Sequence, residues 1–300
     1  MRKLLCIIAV LAGALAAQAQ TFPSLLVPSD AATLALGGNG VALGPRSFAV
    51  ENNAAAISLS DQTLSASATY SLWQPSAAKE NIIAAGGWWH SGKIGVGASF
   101  GRLGMPSYVI TSNNGTESQV DAPFSPSDLS FSLGGSFALM ENLSVGVTAR
   151  MVISSLAKEA KAVAPSFGVS AMYKAGGLTA GLTLANLGGK VKYAQDSDGY
   201  AQPAVVRAGA AYRIIEGLTA QAEVSYLFAG AFGAAAGVEY GFKDMIFARA
   251  GFHYGSASLG LPTYASLGLG AKFAGVTLDA AYLLVGNLSN SLMFTVGYGF

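Results

Sequence analysis

Charge is scarce in this sequence. Asp, Glu, Lys and Arg together make up only 11% of its 300 residues, against about 25% in soluble domains. That is too little to cover a water-facing surface. The formal net charge of +1 gives no reason to expect a nucleic-acid partner. Thiols are almost absent too. The single cysteine, Cys6, sits in an apolar N-terminal stretch, so the rest of the chain has no disulfide, thiolate ligand or cysteine nucleophile. The two histidines, His90 and His253, lie far apart, and the carboxylates show no metal-ligand spacing. The one G-x-S-x-G match, Gly97–Gly101, lies inside an alternating strand segment and not at a strand-to-helix elbow. We therefore expect no catalytic residues, no metal and no cofactor, and no enzyme.

Long apolar runs are missing as well. Past the N-terminus there is no stretch of about 18 apolar residues, so no helix suited to crossing a bilayer. A chain that is 52% hydrophobic, poor in charge and without a spanning helix has one other way to satisfy its backbone in lipid. That way is a closed β-barrel.

What is present fits that reading. Residues 1–19 have Arg2 and Lys3, an apolar run from Leu4 to Ala17, and Ala17-Gln18-Ala19. This is the pattern of a signal peptide with an A-x-A cleavage site, and it implies export. From about Gln62 onward, short segments alternate apolar with small or polar residues. We place strands at 62–73, 82–90, 93–101, 128–139, 143–154, 166–174, 178–187, 204–214, 218–228, 233–242, 245–254, 264–273, 276–284 and 290–300. The links between them are alternately short and long. Bacterial outer-membrane barrels have tight periplasmic turns and longer outer loops. With the N-terminus inside, every short turn falls on the periplasmic side. The expected fold is all-β: a transmembrane antiparallel β-barrel of 14 strands over residues 62–300, in the bacterial outer membrane and in contact with its lipids.

On several strands the large apolar residues share one face. Examples are Leu143, Val145, Val147, Met151 and Ile153; Leu218, Val224, Tyr226 and Phe228; and Val276, Leu278, Tyr282 and Leu284. These face lipid. The opposite face carries Gly, Ser, Thr and most strand charges, and turns Arg207, Arg213, Glu223, Glu239 and Arg249 into a lumen ladder. Its role is either a stabilising network that fills the barrel or a selectivity or plug-docking patch. Lys272 and Asp279 flank the Ala274-Gly275 turn and are expected to pair. Gly95-x-Gly97 and Gly268-x-Gly270 lie within strands, so they are close-packing glycines and not phosphate loops.

The last strand presents Phe294, Val296, Tyr298 and Phe300 on one side. It must pair with the first strand, or two edges stay unsatisfied in lipid. Its aromatic end also resembles the recognition signal of the barrel-assembly machinery. Residues 20–61 do not alternate and are rich in Gly, Ala and Pro. Barrels of eight strands fill with side chains, and those of sixteen to eighteen leave an aqueous channel. Fourteen strands need an occupant, so residues 20–61 are expected to form an N-terminal plug, or hatch. The long link at 104–127 mixes Tyr108, Val109, Ile110 and Phe124 with polar residues, and is the best candidate for partner contact through Tyr108 and Phe124.

The stretch "LVPSDAATLALGGNGVALGPRSFAVENNAAAIS" resembles the N-terminal signature of FadL-like outer-membrane proteins, specifically the PorV/PorQ family. That signature has an Ala-rich, Gly-Gly-containing stretch and then an Asn-Pro-Ala triplet before strand one. Here the motif reads Asn52-Asn53-Ala54-Ala55, without the proline. "LTLANLGGKVKY", "PAVVRAGAAY", "GVEYGFKDMIFARAGFHYG" and "SLGLGAKFAGVTLDAAY" are similar to the family's strand motifs. The resemblance implies a fourteen-stranded barrel with a hatch. It also implies a non-enzymatic part in type IX protein secretion or surface attachment, with secretion-system proteins or cargo as partners. The alternative is a FadL-like transporter of hydrophobic small molecules.

Overall fold

Period-2 segments of nine to fifteen residues present one apolar face and one small or polar face. Here they hydrogen-bond side by side until the last meets the first. A computed structural model describes residues 21–109, 111–113, 118–120, 123–193, 198–256, 261–285 and 290–300, with the side chains of 111–113 and 118–120 outside the description. The signal-peptide expectation for residues 1–19 therefore lies outside the described residues.

The strands are β1 (Leu64–Trp73), β2 (Glu80–Ser91), β3 (Ile94–Gly104), β4 (Thr111–Asn113), β5 (Ser118–Val120), β6 (Ser127–Met140), β7 (Leu143–Ser155) and β8 (Lys161–Ala175). They continue as β9 (Leu178–Leu187), β10 (Val205–Ile215), β11 (Leu218–Leu227), β12 (Ala231–Phe242), β13 (Ile246–Gly255), β14 (Tyr264–Phe273), β15 (Val276–Leu284) and β16 (Ser291–Gly299). Apart from the small β4–β5 hairpin, they form one closed antiparallel barrel of fourteen strands. Closure runs through β1 and β16, with Tyr70 opposite Phe294, Ala68 opposite Val296 and Ala66 opposite Tyr298. Inside, Thr69 and Thr295 share a 2.8 Å hydroxyl contact across the same seam.

The fourteen expected strands all have counterparts, with boundaries shifted by a few residues. The largest shift is in β8, which starts at Lys161 and so takes Pro165 into the strand. β9 pairs with β8 no further than Phe167, so Pro165 sits on a free edge, where a missing N–H costs no ladder bond. The long link after β3 holds the β4–β5 hairpin, which alternation did not reveal.

One rim carries only tight turns. Ala274 and Gly275 have φ of 49° and 81°, and Lys243 and Asp244 have 53° and 52°. Positive φ at both central residues is the turn geometry whose twist matches paired strands. The opposite rim carries the long loops.

The two faces of the wall differ as the sequence implies. Leu133, Leu269 and Phe273 point outward, 68%, 67% and 75% exposed, along with Phe294, Val296, Tyr298 and Phe300. In water such a belt would be a liability; in hydrocarbon it is solvated. The tightly packed interior lies within the wall. Residues 21–61 occupy it as a 3₁₀ turn (Pro23–Leu26), a helix (Ala31–Ala35), a second helix (Ala49–Asn52) and a 3₁₀ stretch (Ala54–Leu59). Ala31, Leu34, Ala35, Ala55 and Ile57 are fully buried there.

This inner segment runs opposite to expectation at its start. Thr21 donates its amide to Ala201 on the long-loop rim at 3.0 Å, and the chain then descends to the short-turn rim, where Thr63 donates to Phe300 O at 2.7 Å. The described chain thus begins among the long loops and not on the side of the tight turns.

Candidate functional site

Helices of four to six residues leave most of their backbone groups without an internal partner. In this lumen, wall hydroxyls supply the partners. Ala31 N donates to Thr295 Oγ1 (2.9 Å), and Ser266 Oγ donates to Ala35 O (2.9 Å) while accepting from Gly37 N (3.1 Å). Ser144 Oγ donates to Ala55 O (2.5 Å), and Ala55 N donates to Ser170 Oγ (3.1 Å). The Ser and Thr residues of the inward face therefore serve as caps for the segment they enclose.

Glycines on the same face make room for it. A Cβ at Gly237 would come within 2.6 Å of Leu36 O, one at Gly146 within 2.6 Å of Ala55 N, and one at Gly97 within 2.7 Å of Val50. At Gly251, Gly181 and Gly268 it would collide with Leu36 and Gly37, Val41 and Ala35 respectively. The strand glycines Gly97 and Gly268 are close-packing positions, and what they pack against is the inner segment.

The motif Asn52-Asn53-Ala54-Ala55 is buried at the heart of this contact. Asn53 caps the 3₁₀ stretch by accepting from Ala55 N (3.1 Å), and its amide donates to Val41 O (2.9 Å) and Ala171 O (3.1 Å). These bonds fix a turn without the proline of the resembled triplet.

Four of the five ladder charges, Arg207, Glu223, Glu239 and Arg249, point inward, but only two of them pair with each other. Arg249 Nε donates to Glu239 (2.5 Å), and its Nη1 reaches Asp279 (2.6 Å) by crossing over Gly270 of the intervening strand. Arg46 of the inner segment joins Glu239 at 2.9 Å. Glu223 instead accepts from the amides of Gly40 (2.9 Å) and Val41 (3.0 Å), and Arg207 donates to the carbonyls of Glu51 (3.2 Å) and Asn52 (3.4 Å). Two sequence expectations are corrected. Arg213 is exposed beside a register shift at the end of β10, outside the ladder. Asp279 is held by Arg249 and not by Lys272.

Sequence reasoning missed the strongest link between segment and wall. Arg150 on β7 binds Glu51 of the inner segment, Asn186 of β9 and Ser132 (3.0 Å), and Glu51 also accepts from Ser99. Asn186 can reach inward because β9 bulges there, with φ 59° at Asn186. Asn tolerates that conformation better than most residues. Burial alone would raise the Glu51 carboxyl, but the Arg150 guanidinium and the Ser99 and Ser132 hydroxyls hold it below its ordinary value. The missed signal was parity: Arg150 alternates inward with Thr148 and Val152, and Glu51 is one of few acids in residues 21–61.

Above this latch, towards the long-loop rim, the segment does not fill the lumen. A cavity of about 100 Å³ remains. Leu25, Leu26, Val27, Leu103, Leu227 and Leu261 provide its apolar side, and Glu51, Arg150, Arg207, Glu223, His253 and Tyr264 its polar side. Outside the mouth, Tyr108 and Phe124 form an isolated bridge with ring centroids 5.8 Å apart, and the Tyr108 hydroxyl donates to Leu156 O at 3.0 Å. Those two aromatics thus brace a loop against the next one. Among the described residues no cluster of His, Cys, Asp and Glu has a metal-binding arrangement.

A closed barrel of fourteen strands with this outward belt is a fold of outer-membrane proteins. The architecture is similar to that of the Ralstonia pickettii toluene transporter TbuX, with a TM-score of 0.66 at 13% identity over 91% of this chain and 98% of that one. The Pseudomonas putida toluene transporter TodX matches with a TM-score of 0.67 at 14% identity, over 92% and 98%. A Pseudomonas aeruginosa FadL homologue matches with 0.61 at 14%, over 92% and 99%. At such identities the likeness establishes the fold: a FadL-like fourteen-stranded outer-membrane barrel. No family model and no curated protein sequence matches the chain.

Proposed function

We propose that the protein is an outer-membrane channel for small hydrophobic molecules, with residues 20–61 as its hatch. The observation that carries this reading is the cavity at the long-loop rim, apolar on one side and floored by the inner segment at Glu51 and Asn52. A solute arriving from outside meets leucines first. It goes no further until the segment shifts. The fold likeness to toluene transporters favours the same reading. No covalent chemistry is involved, so the segment's work is to bind, to block and to yield.

The resemblance to PorV/PorQ adds a second reading, a role in type IX secretion, for which no feature of the lumen speaks. The test of the first is uptake of radiolabelled toluene by cells carrying the chain in their outer membrane. Uptake should exceed that of cells without it, and Leu26→Arg in the cavity wall should lower it. Equal uptake with and without the chain, together with a stoichiometric protein partner on purification, would reverse the two readings.

Phe294, Val296, Tyr298 and Phe300 belong to the same proposal as an assembly signal, since their outward row ends the strand that closes the barrel. Deleting Phe300 should reduce the yield of folded barrel without altering the uptake per folded molecule.

A further inference from the structure

The polar wall of the cavity contains atoms that nothing in the described protein satisfies. The Tyr264 hydroxyl, His253 Nε2 and Arg207 Nε are buried without a hydrogen-bond partner, and all three residues line the same space. Tyr264 is 2% exposed and His253 9%. The two are paired across β13 and β14, with rings stacked at 4.9 Å. Unmet buried polar groups are costly, and a cluster of them in one cavity marks a ligand or ordered water.

Their chemistry narrows the ligand. His253 Nδ1 lies 3.2 Å from Gly37 O, a pure acceptor, so Nδ1 carries the proton and Nε2 of the neutral ring offers a lone pair. Tyr264 and Arg207 Nε offer protons. The vacant partners are therefore both donors and acceptors, and a hydroxyl group can answer both kinds. A bare hydrocarbon would leave all three stranded. A carboxylate fits poorly too. The wall holds Glu51, Asp128 and Glu223 against Arg102, Arg150 and Arg207, three acids to three bases, with no spare cation. The enclosed volume of about 100 Å³ falls short of the roughly 150 Å³ that takes benzene, so it admits at most one small ring, held partly in the open mouth.

We infer that this cavity binds small neutral hydroxylated molecules, of which phenol is the simplest aromatic case, through Tyr264 and His253. The inference rests on the uptake reading and narrows it to a substrate class. It is tested by equilibrium binding of phenol and benzene to the full chain in nanodiscs, with empty nanodiscs subtracted. Phenol should bind at least about tenfold tighter than benzene, as expected when a site built for a hydroxyl meets a ligand lacking one. Tyr264→Phe should bring the two within about threefold. Folding of the variant is read separately from its heat-modifiable gel mobility, and the wild-type ratio needs no variant.

Equal binding of phenol and benzene overturns the inference, means that water alone fills the polar wall, and leaves hydrophobic uptake standing. A tenfold preference that survives in folded Tyr264→Phe overturns the assignment to Tyr264. Binding of neither, with no toluene uptake, overturns the transport reading as well.

Discussion

The two halves of the lumen use the same kinds of residue for different ends. Towards the short-turn rim, Gly97 admits the Val50 side chain and Gly146 the Ala55 backbone, and Arg249 ties Glu239 and Asp279 together while Arg46 joins Glu239. Towards the long-loop rim, Tyr264, His253 and Arg207 surround open space with polar atoms unmet. Both halves leave space, about 210 Å³ beside Arg46 and Arg249 and about 100 Å³ at Tyr264, but among the described residues only the second has unmet polar atoms on its wall. On the proposed function, one half holds the segment and the other binds.

The comparison breaks most readily at the glycine sockets. Gly251→Val drives a side chain into the backbone of Leu36 and Gly37, which cannot move aside as a flexible side chain would. Overpacking usually costs about 1–3 kcal/mol, and here the upper end is expected, with the segment expelled and ion conductance in planar bilayers rising to that of an open pore. Gly135→Val is the matched control. Its Cβ would meet nothing within 4 Å, and conductance should stay at the wild-type level.

The latch between the halves comes next. Glu51→Gln leaves the Arg150 guanidinium buried without its counter-charge, a loss of about 3 kcal/mol. It should appear as a lower midpoint of thermal unfolding in detergent. Arg150→Met together with Glu51→Gln should recover part of that loss, because both charges are then gone.

A smaller effect follows with pH. Glu51 binds its proton less readily folded than unfolded, where its value is near 4.5. Its contribution is therefore complete above that value and fades as pH falls through the lowered folded one. The thermal midpoint should drop as pH falls below about 4.5, and drop less in Glu51→Gln. The smallest change is at the rim. Lys174 and Asp61 sit 3.3 Å apart with Asp61 almost wholly in solvent, so Asp61→Asn should alter stability by less than about 1 kcal/mol.

How much of this was legible follows from periodicity. Strands were readable because a wall between lipid and a packed interior enforces alternation on every segment, down to Phe294, Val296, Tyr298 and Phe300. The β4–β5 hairpin was not, since three-residue strands carry no period. Inward direction was legible for Arg207, Glu223, Glu239 and Arg249, but partners were not. Arg249 reaches past a whole strand only because Gly270 has no side chain, and Arg150 meets Asn186 only through a bulge. Both depend on one backbone detail far away in sequence. The cavity was illegible for a similar reason. It is defined by where residues 21–29 stop filling the lumen, and no pattern within those residues records it.

The central claim is that the inner segment is a hatch that must move for solute to pass. Ser47 of the segment and Ser65 of β1 have hydroxyls 2.6 Å apart, close enough for a disulfide between cysteines at both positions. Toluene uptake by cells carrying the Ser47→Cys, Ser65→Cys chain should fall to background when the pair is oxidised and return on reduction. Uptake that is the same in both states would show that nothing passes by way of the segment.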